Sequence, residues 1–86
     1  MLFKVYFDYN NGMGHAEFVS ATSAKNAIKK VKAYNFLKNV MYQNGSIGSA
    51  SAYKIEADGT YDHLPEAYLY CEYSSTGKWY ARYFEN

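Results

Sequence analysis

Cysteine, proline, histidine and tryptophan are scarce in this 86-residue chain: one Cys, one Pro, two His and one Trp. A lone cysteine, Cys71, excludes an internal disulfide and fits a reducing compartment. His15, His63 and Cys71 form no C-x-x-C or H-x-x-x-H spacing, so neither a metal nor a cofactor is expected. No apolar run approaches the roughly 20 residues of a membrane span, and no membrane partner is expected. The opening "MLFKVYF" alternates like a strand and lacks a basic segment followed by a long apolar stretch, so no signal peptide is expected and the cytoplasm is the expected location. The net charge is only +1, which excludes both the basic field of a dedicated DNA-binding domain and acidic mimicry of DNA. Acid is also missing locally. No Asp or Glu occurs between Phe18 and Ile55, where Lys25, Lys29, Lys30, Lys32, Lys38 and Lys54 fall, so the middle of the chain is its basic part.

What is abundant is tyrosine, with eleven residues. The closing stretch "AYLYCEYSSTGKWYARYFEN" carries Tyr68, Tyr70, Tyr73, Trp79, Tyr80, Tyr83 and Phe84. Each tyrosine brings a hydroxyl that wants water or a partner, which a core alone does not call for. The length fits a single domain over residues 1–86. A domain this small is marginally stable unless its exposed faces are covered.

Periodicity predicts the element order β-β-α-β-β-β. "LFKVYFDY" puts Phe3, Val5, Phe7 and Tyr9 on one face and Leu2, Lys4, Tyr6 and Asp8 on the other. "NNGMG" is a hairpin turn signal, and "HAEFVSA" pairs back. "TSAKNAIKKVKAYNFLKNVMY" reads as one helix capped by Ser23 or Thr22, with Ala24, Ala27, Ile28, Val31 and Tyr34 as its buried stripe. Lys25, Lys29 and Lys32 then form a neighbouring solvent-facing strip without a Glu partner at i±4. "QNGSIGSAS" reads as loop, and "SAYKIEA" as a strand with Tyr53 and Ile55 toward the core. "DGTYDHLPE" is a turn-rich connection in which Pro65 stops pairing. "AYLYCEY" and "KWYARYFE" are the last two strands, joined at "SSTG". The expected architecture is α+β: one antiparallel sheet of about five strands with a single helix packed on one face.

Alternation divides the terminal strands. Leu69, Cys71 and Tyr73 share the better core face, and Tyr68, Tyr70 and Glu72 share the other. Trp79, Ala81 and Tyr83 oppose Tyr80, Arg82 and Phe84. Tyr6, Tyr68, Tyr70, Tyr80, Arg82 and Phe84 are therefore expected on the face away from the helix, interspersed with Lys4, Lys54, Glu56, Glu66 and Glu72. Tyrosine with arginine is the composition of binding hot spots. Three readings of this face compete: cross-strand pairing that only supports the sheet, a docking surface for another macromolecule, and a homodimer contact. Lys25, Lys29 and Lys32 add a candidate partner-binding strip for phosphates or an acidic surface, against the plainer reading of a solvated helix face. "GSIG" matches the bare spacing of a KH loop but precedes a strand rather than a helix, and "GMG" lacks the third glycine of a dinucleotide fingerprint. Asp62, His63 and Glu66 sit in a polar loop, and Cys71 reads as a small buried hydrophobe. With no triad or metal geometry visible, an enzyme is not expected.

The passage "FVSATSAKNAIKKV" and the hairpin "YLYCEYSSTGKWYARY" resemble, in pattern, small anti-CRISPR proteins of phages and mobile elements, in particular a family acting on type I-F surveillance complexes. The resemblance implies a non-enzymatic viral inhibitor that docks on a host protein or nucleoprotein complex in the host cytoplasm and blocks nucleic-acid engagement. The alternative is a single-stranded nucleic-acid-binding module that stacks bases on sheet aromatics and contacts phosphate through the basic helix.

Overall fold

Apolar alternation in the first eight-residue segment becomes the strand β1, Leu2–Tyr9, in the computed structural model, which describes residues 1–9, 12–41 and 43–86. Phe3, Val5 and Phe7 are buried, while Leu2, Tyr6 and Asp8 are exposed. β2, Met13–Ser20, returns antiparallel with Phe7 opposite His15 and Tyr6 opposite Ala16. The predicted Asn-Gly turn falls at Asn11-Gly12. Asn10 and Asn11 lie outside the described residues, and Gly12 has a φ of 97°, the left-handed region that favours glycine. Three further strands complete one antiparallel sheet: β3, Ser46–Ile55, β4, Ala67–Tyr73, and β5, Trp79–Glu85. The spatial order is β2-β1-β3-β4-β5, so the longest strand is central.

The expected single helix is two. α1 spans Ala24–Lys30 and α2 spans Ala33–Val40. Ser23 caps α1 as expected, its hydroxyl accepting from the Asn26 N–H at 3.1 Å. The break lies at Lys32, which adopts left-handed dihedrals of 57° and 42°. Core geometry explains it. In an unbroken helix of about 3.6 residues per turn, Ala33 would point opposite to Ala24, Ala27 and Ile28, Leu37 would lie well off their stripe and Met41 about a quarter-turn from its centre. The left-handed residue rotates the second segment, and all six side chains become buried. Leu37 and Met41 thereby join the stripe, while Val31 and Tyr34 are only half-buried against it. The last residue of the expected helix, Tyr42, lies outside the described residues.

Both helices pack on the same sheet face, against β1, β3 and β4. The core joins Phe3, Val5 and Phe7 of β1, Ala50 and Ala52 of β3, and Leu69 and Cys71 of β4 to the helical stripe. Each fully buried large apolar side chain contributes about 1.5–3 kcal/mol of transfer free energy. The β3 expectations need correcting. Pairing begins at Ser46, inside the stretch expected to be loop. The core-facing set is Gly48, Ala50 and Ala52; Tyr53 and Ile55 point to the other face, and Lys54 lies opposite Phe3 on the helix side. At Gly48 a side chain is excluded because α2 lies close to the sheet. A Cβ on Gly48 would run into Met41 Sδ and come within 3.3 Å of Leu37 Cδ2. β4 and β5 divide as alternation predicts, with Trp79 and Tyr83 packed against the core.

Connections close the sheet ends. In "DGT", the Asp58 carboxylate accepts from the Thr60 N–H at 3.0 Å and the Thr60 hydroxyl at 2.6 Å, which holds its pKa below the usual value. After Pro65, Asn86 anchors the end of β5: its N–H donates to the Glu66 carbonyl at 2.8 Å and its side-chain amide to the Pro65 carbonyl at 2.6 Å.

Candidate functional site

Strand register builds the face that no helix covers. One row across it runs Ala16, Tyr6, Ser51, Tyr68, Phe84. The next row toward the β1–β2 turn runs Gly14, Asp8, Ser49, Tyr70, Arg82. On the opposite side of the first row lie Phe18, Lys4 and Tyr53. Six predicted residues, Tyr6, Tyr68, Tyr70, Tyr80, Arg82 and Phe84, therefore share one surface. It remains accessible: Phe18 is 64 % exposed, Ile47 58 %, Tyr80 53 % and Tyr6 40 %.

Much of this face is held rigid by its own contacts. Tyr68 and Phe84 stack with ring centres 4.7 Å apart and planes 12° apart, and the Arg82 guanidinium lies 5.2 Å from the Phe84 ring centre on the next turn of alternation. The Tyr70 hydroxyl donates to Glu72 Oε1 at 2.8 Å, which raises the Tyr70 pKa. The β3–β4 connection folds over one corner, where Tyr61 packs 5.6 Å from Tyr53 and receives a 2.9 Å hydrogen bond from Lys4 Nζ. At the opposite end of β1 and β3, Asp8, Ser49, Ile47 and neighbouring glycines line an open depression of about 270 Å³. That is smaller than the roughly 300–1,000 Å³ of small-molecule sites and lacks their apolar lining. In the rows and at the β4–β5 end, Lys4 and Arg82 are matched by Asp8 and Glu72, so the charges cancel.

The lysine strip is dispersed and lies on the other side of the sheet. Lys25 Nζ sits 3.7 Å from Glu85 Oε1 and 5.4 Å from the Tyr83 ring centre. Lys29 Nζ is 5.5 Å from the same ring. Burial raises the Tyr83 pKa above its usual value. Lys32 occupies the break between helices and no longer continues the i, i+4, i+7 series. Glu85, far along the chain, thus supplies part of the acid that the basic window lacks. These lysines and the aromatic face therefore present to opposite sides of the sheet.

The remaining reactive groups are engaged in packing. His15 stacks on Phe7 at 4.5 Å, with Phe36 edge-on at 5.1 Å. Its Nδ1 is 3.0 Å from the Tyr9 hydroxyl and its Nε2 is 3.2 Å from Glu17 Oε2, so both ring nitrogens already have partners. Cys71 is buried, and burial pushes its thiol to about 12, away from thiolate chemistry. Among the described residues, no group of three His, Cys, Asp or Glu side chains could hold a metal ion, and no helix is long and apolar enough to cross a membrane.

Sequence reasoning missed Phe18, Ile47, Tyr53 and Tyr61 as members of the open face. The available signal was the small-residue alternation Gly48, Ala50, Ala52, which assigns Ile47, Tyr53 and Ile55 to the opposite side. Tyr61 is brought in by a loop and has no periodicity to betray it. Compared with family models, curated proteins and solved structures, the chain matches none.

Proposed function

We propose that this chain is a non-enzymatic binding protein that docks through the open aromatic face of its sheet. The carrying observation is a charge-balanced array in which Tyr6, Tyr80 and Arg82 are exposed around half-buried Tyr68, Tyr70 and Phe84, with Tyr68 stacked on Phe84. Stacked rings lose little conformational freedom on binding, and tyrosine contributes large contact area with few rotatable bonds. The target class we propose is the one implied by the sequence resemblance: a host CRISPR-type nucleoprotein complex, whose nucleic-acid engagement a phage or mobile-element inhibitor would block. The resemblance alone supports that target; the face supports the mode of docking.

Single-stranded nucleic acid is the weaker partner. Strand binding combines stacking aromatics with a cationic groove. Here Lys25 and Lys29 lie on the helix side, and the cations of the aromatic face are balanced by carboxylates. The deciding assay titrates the protein into a reconstituted type I-F surveillance complex and follows guided binding of a labelled target duplex. Stoichiometric protein is expected to abolish binding. Tyr80→Ala combined with Arg82→Ala is expected to need at least tenfold more protein, with an unchanged melting temperature. Full target binding in the presence of excess folded protein refutes the target. Steeply salt-dependent anisotropy of a labelled oligonucleotide would favour the nucleic-acid reading instead.

A further inference from the structure

We infer that in the free protein the open face is covered by a second copy of the same chain, related by a two-fold axis lying across the strands along the Tyr6–Ser51–Tyr68 row. The inference rests on the reading of that face as a docking surface and names an occupant for it. Such an axis exchanges the rows on either side of the central one. Lys4 then meets the Asp8 position of the second copy, and Tyr53 meets the Ser49 position, so opposite charges and unequal sizes are brought together. The same operation carries Tyr61, which projects beside Lys4 and Tyr53 and is 45 % exposed, toward the depression lined by Asp8, Ile47 and Ser49. Knob and hole lie on opposite sides of the row, at the two ends of the same pair of strands. A two-fold axis running along β3 instead would set Asp8 against Tyr70 and leave Tyr61 on the side of the row away from the depression, so of these two arrangements the register favours the first.

The area is at the lower end of what a stable contact needs. Five strands about 4.8 Å apart and seven to ten residues long at about 3.3 Å each project roughly 600 Å², to which side-chain relief adds. A stable contact removes about 800 Å² of accessible surface per partner. Sheets stacked face to face keep their strands within about 30°, which preserves these pairings near the centre. Because the contact is isologous, each Lys4–Asp8 and Tyr61–depression contact occurs twice.

Sedimentation velocity over a concentration series tests the inference, with a species of twice the 9.9 kDa chain mass as the expected result. Lys4→Asp should weaken association at least tenfold, and Lys4→Asp with Asp8→Lys should restore it, since the swapped charges again meet across the axis. Tyr61→Ala, an exposed loop change that leaves the sheet intact, should also weaken association at least tenfold without altering the melting temperature measured at concentrations low enough for both proteins to be monomeric. A 9.9 kDa species alone up to millimolar concentration overturns the dimer, as does loss of association in Lys4→Asp without rescue by the double variant in a folded protein. Monomeric protein that still inhibits the surveillance complex through Tyr80 and Arg82 overturns the dimer and leaves the proposed function standing. A dimer without inhibition does the reverse.

Discussion

Lys32 offers a test in which the sign of an effect, rather than its size, separates two structures. A non-glycine residue in the left-handed region costs about 1–2 kcal/mol, because Cβ crowds the following carbonyl. Glycine escapes that crowding but loses more backbone freedom on folding, about 0.5–1 kcal/mol relative to alanine. At a φ of 57°, Lys32→Gly should therefore be more stable than Lys32→Ala by up to about 1 kcal/mol. The comparison with alanine, rather than with lysine, removes the contribution of the charge. Were the helix continuous through this position, glycine would instead be about 1 kcal/mol less stable than alanine. For a domain of this size the difference is about 4–8 °C in melting temperature per kcal/mol, well within reach of thermal or urea unfolding. A Lys32→Gly protein that melts below Lys32→Ala refutes the break and the rotation of α2 that follows from it.

Gly48→Val should destabilise by about 1–3 kcal/mol, since its side chain enters space held by Met41 and Leu37, and urea midpoints would register it. Leu37→Ala should cost about 2–5 kcal/mol by leaving a cavity between α2 and the sheet. Tyr80→Ala, at an exposed position, should change stability by less than about 0.5 kcal/mol while weakening binding; a large loss of stability would make Tyr80 a structural residue. Cys71 contributes a pH signature. Its thiol pKa is raised in the fold from 9.0 to about 12, so the folded chain keeps a proton that the unfolded chain releases. That stability is complete below pH 9 and is lost as pH rises toward 12, by up to about 1.4 kcal/mol per unit. Unfolding of Cys71→Ala followed over the same range should lack this component, and equal slopes would show that the thiol is not desolvated.

Alternation was decisive wherever one face of a strand carries bulk and the other does not. Phe3, Val5 and Phe7 declare the core side of β1, and Leu69 and Cys71 declare that of β4, which places Tyr68, Tyr70, Tyr80, Arg82 and Phe84 together on the open face. In β3 the same reasoning points the wrong way. Its largest apolar side chains, Ile47, Tyr53 and Ile55, face outward, and at Gly48 α2 approaches too closely for bulk beneath it. Side-chain size marks the buried side only when the opposing layer leaves room, and that distance belongs to the packed molecule. The candidate site divides along the same line. Its aromatic members were legible from period-two spacing; its loop member, Tyr61, was not, because nothing local records which strand a loop will fold over.

The sequence by itself determined a tyrosine-rich antiparallel sheet with helical cover on one side, because strand and helix periods are local properties of the chain. Only the tertiary structure decided that the helix breaks at Lys32, since burying Ala33, Leu37 and Met41 together with Ala24, Ala27 and Ile28 is worth more than an unbroken backbone. It also decided that Lys25 and Lys29 stand on Tyr83, beside Glu85 and away from the aromatic face. Spacing along a helix fixes which lysines neighbour one another, but the side of the sheet they occupy follows from where the helix docks.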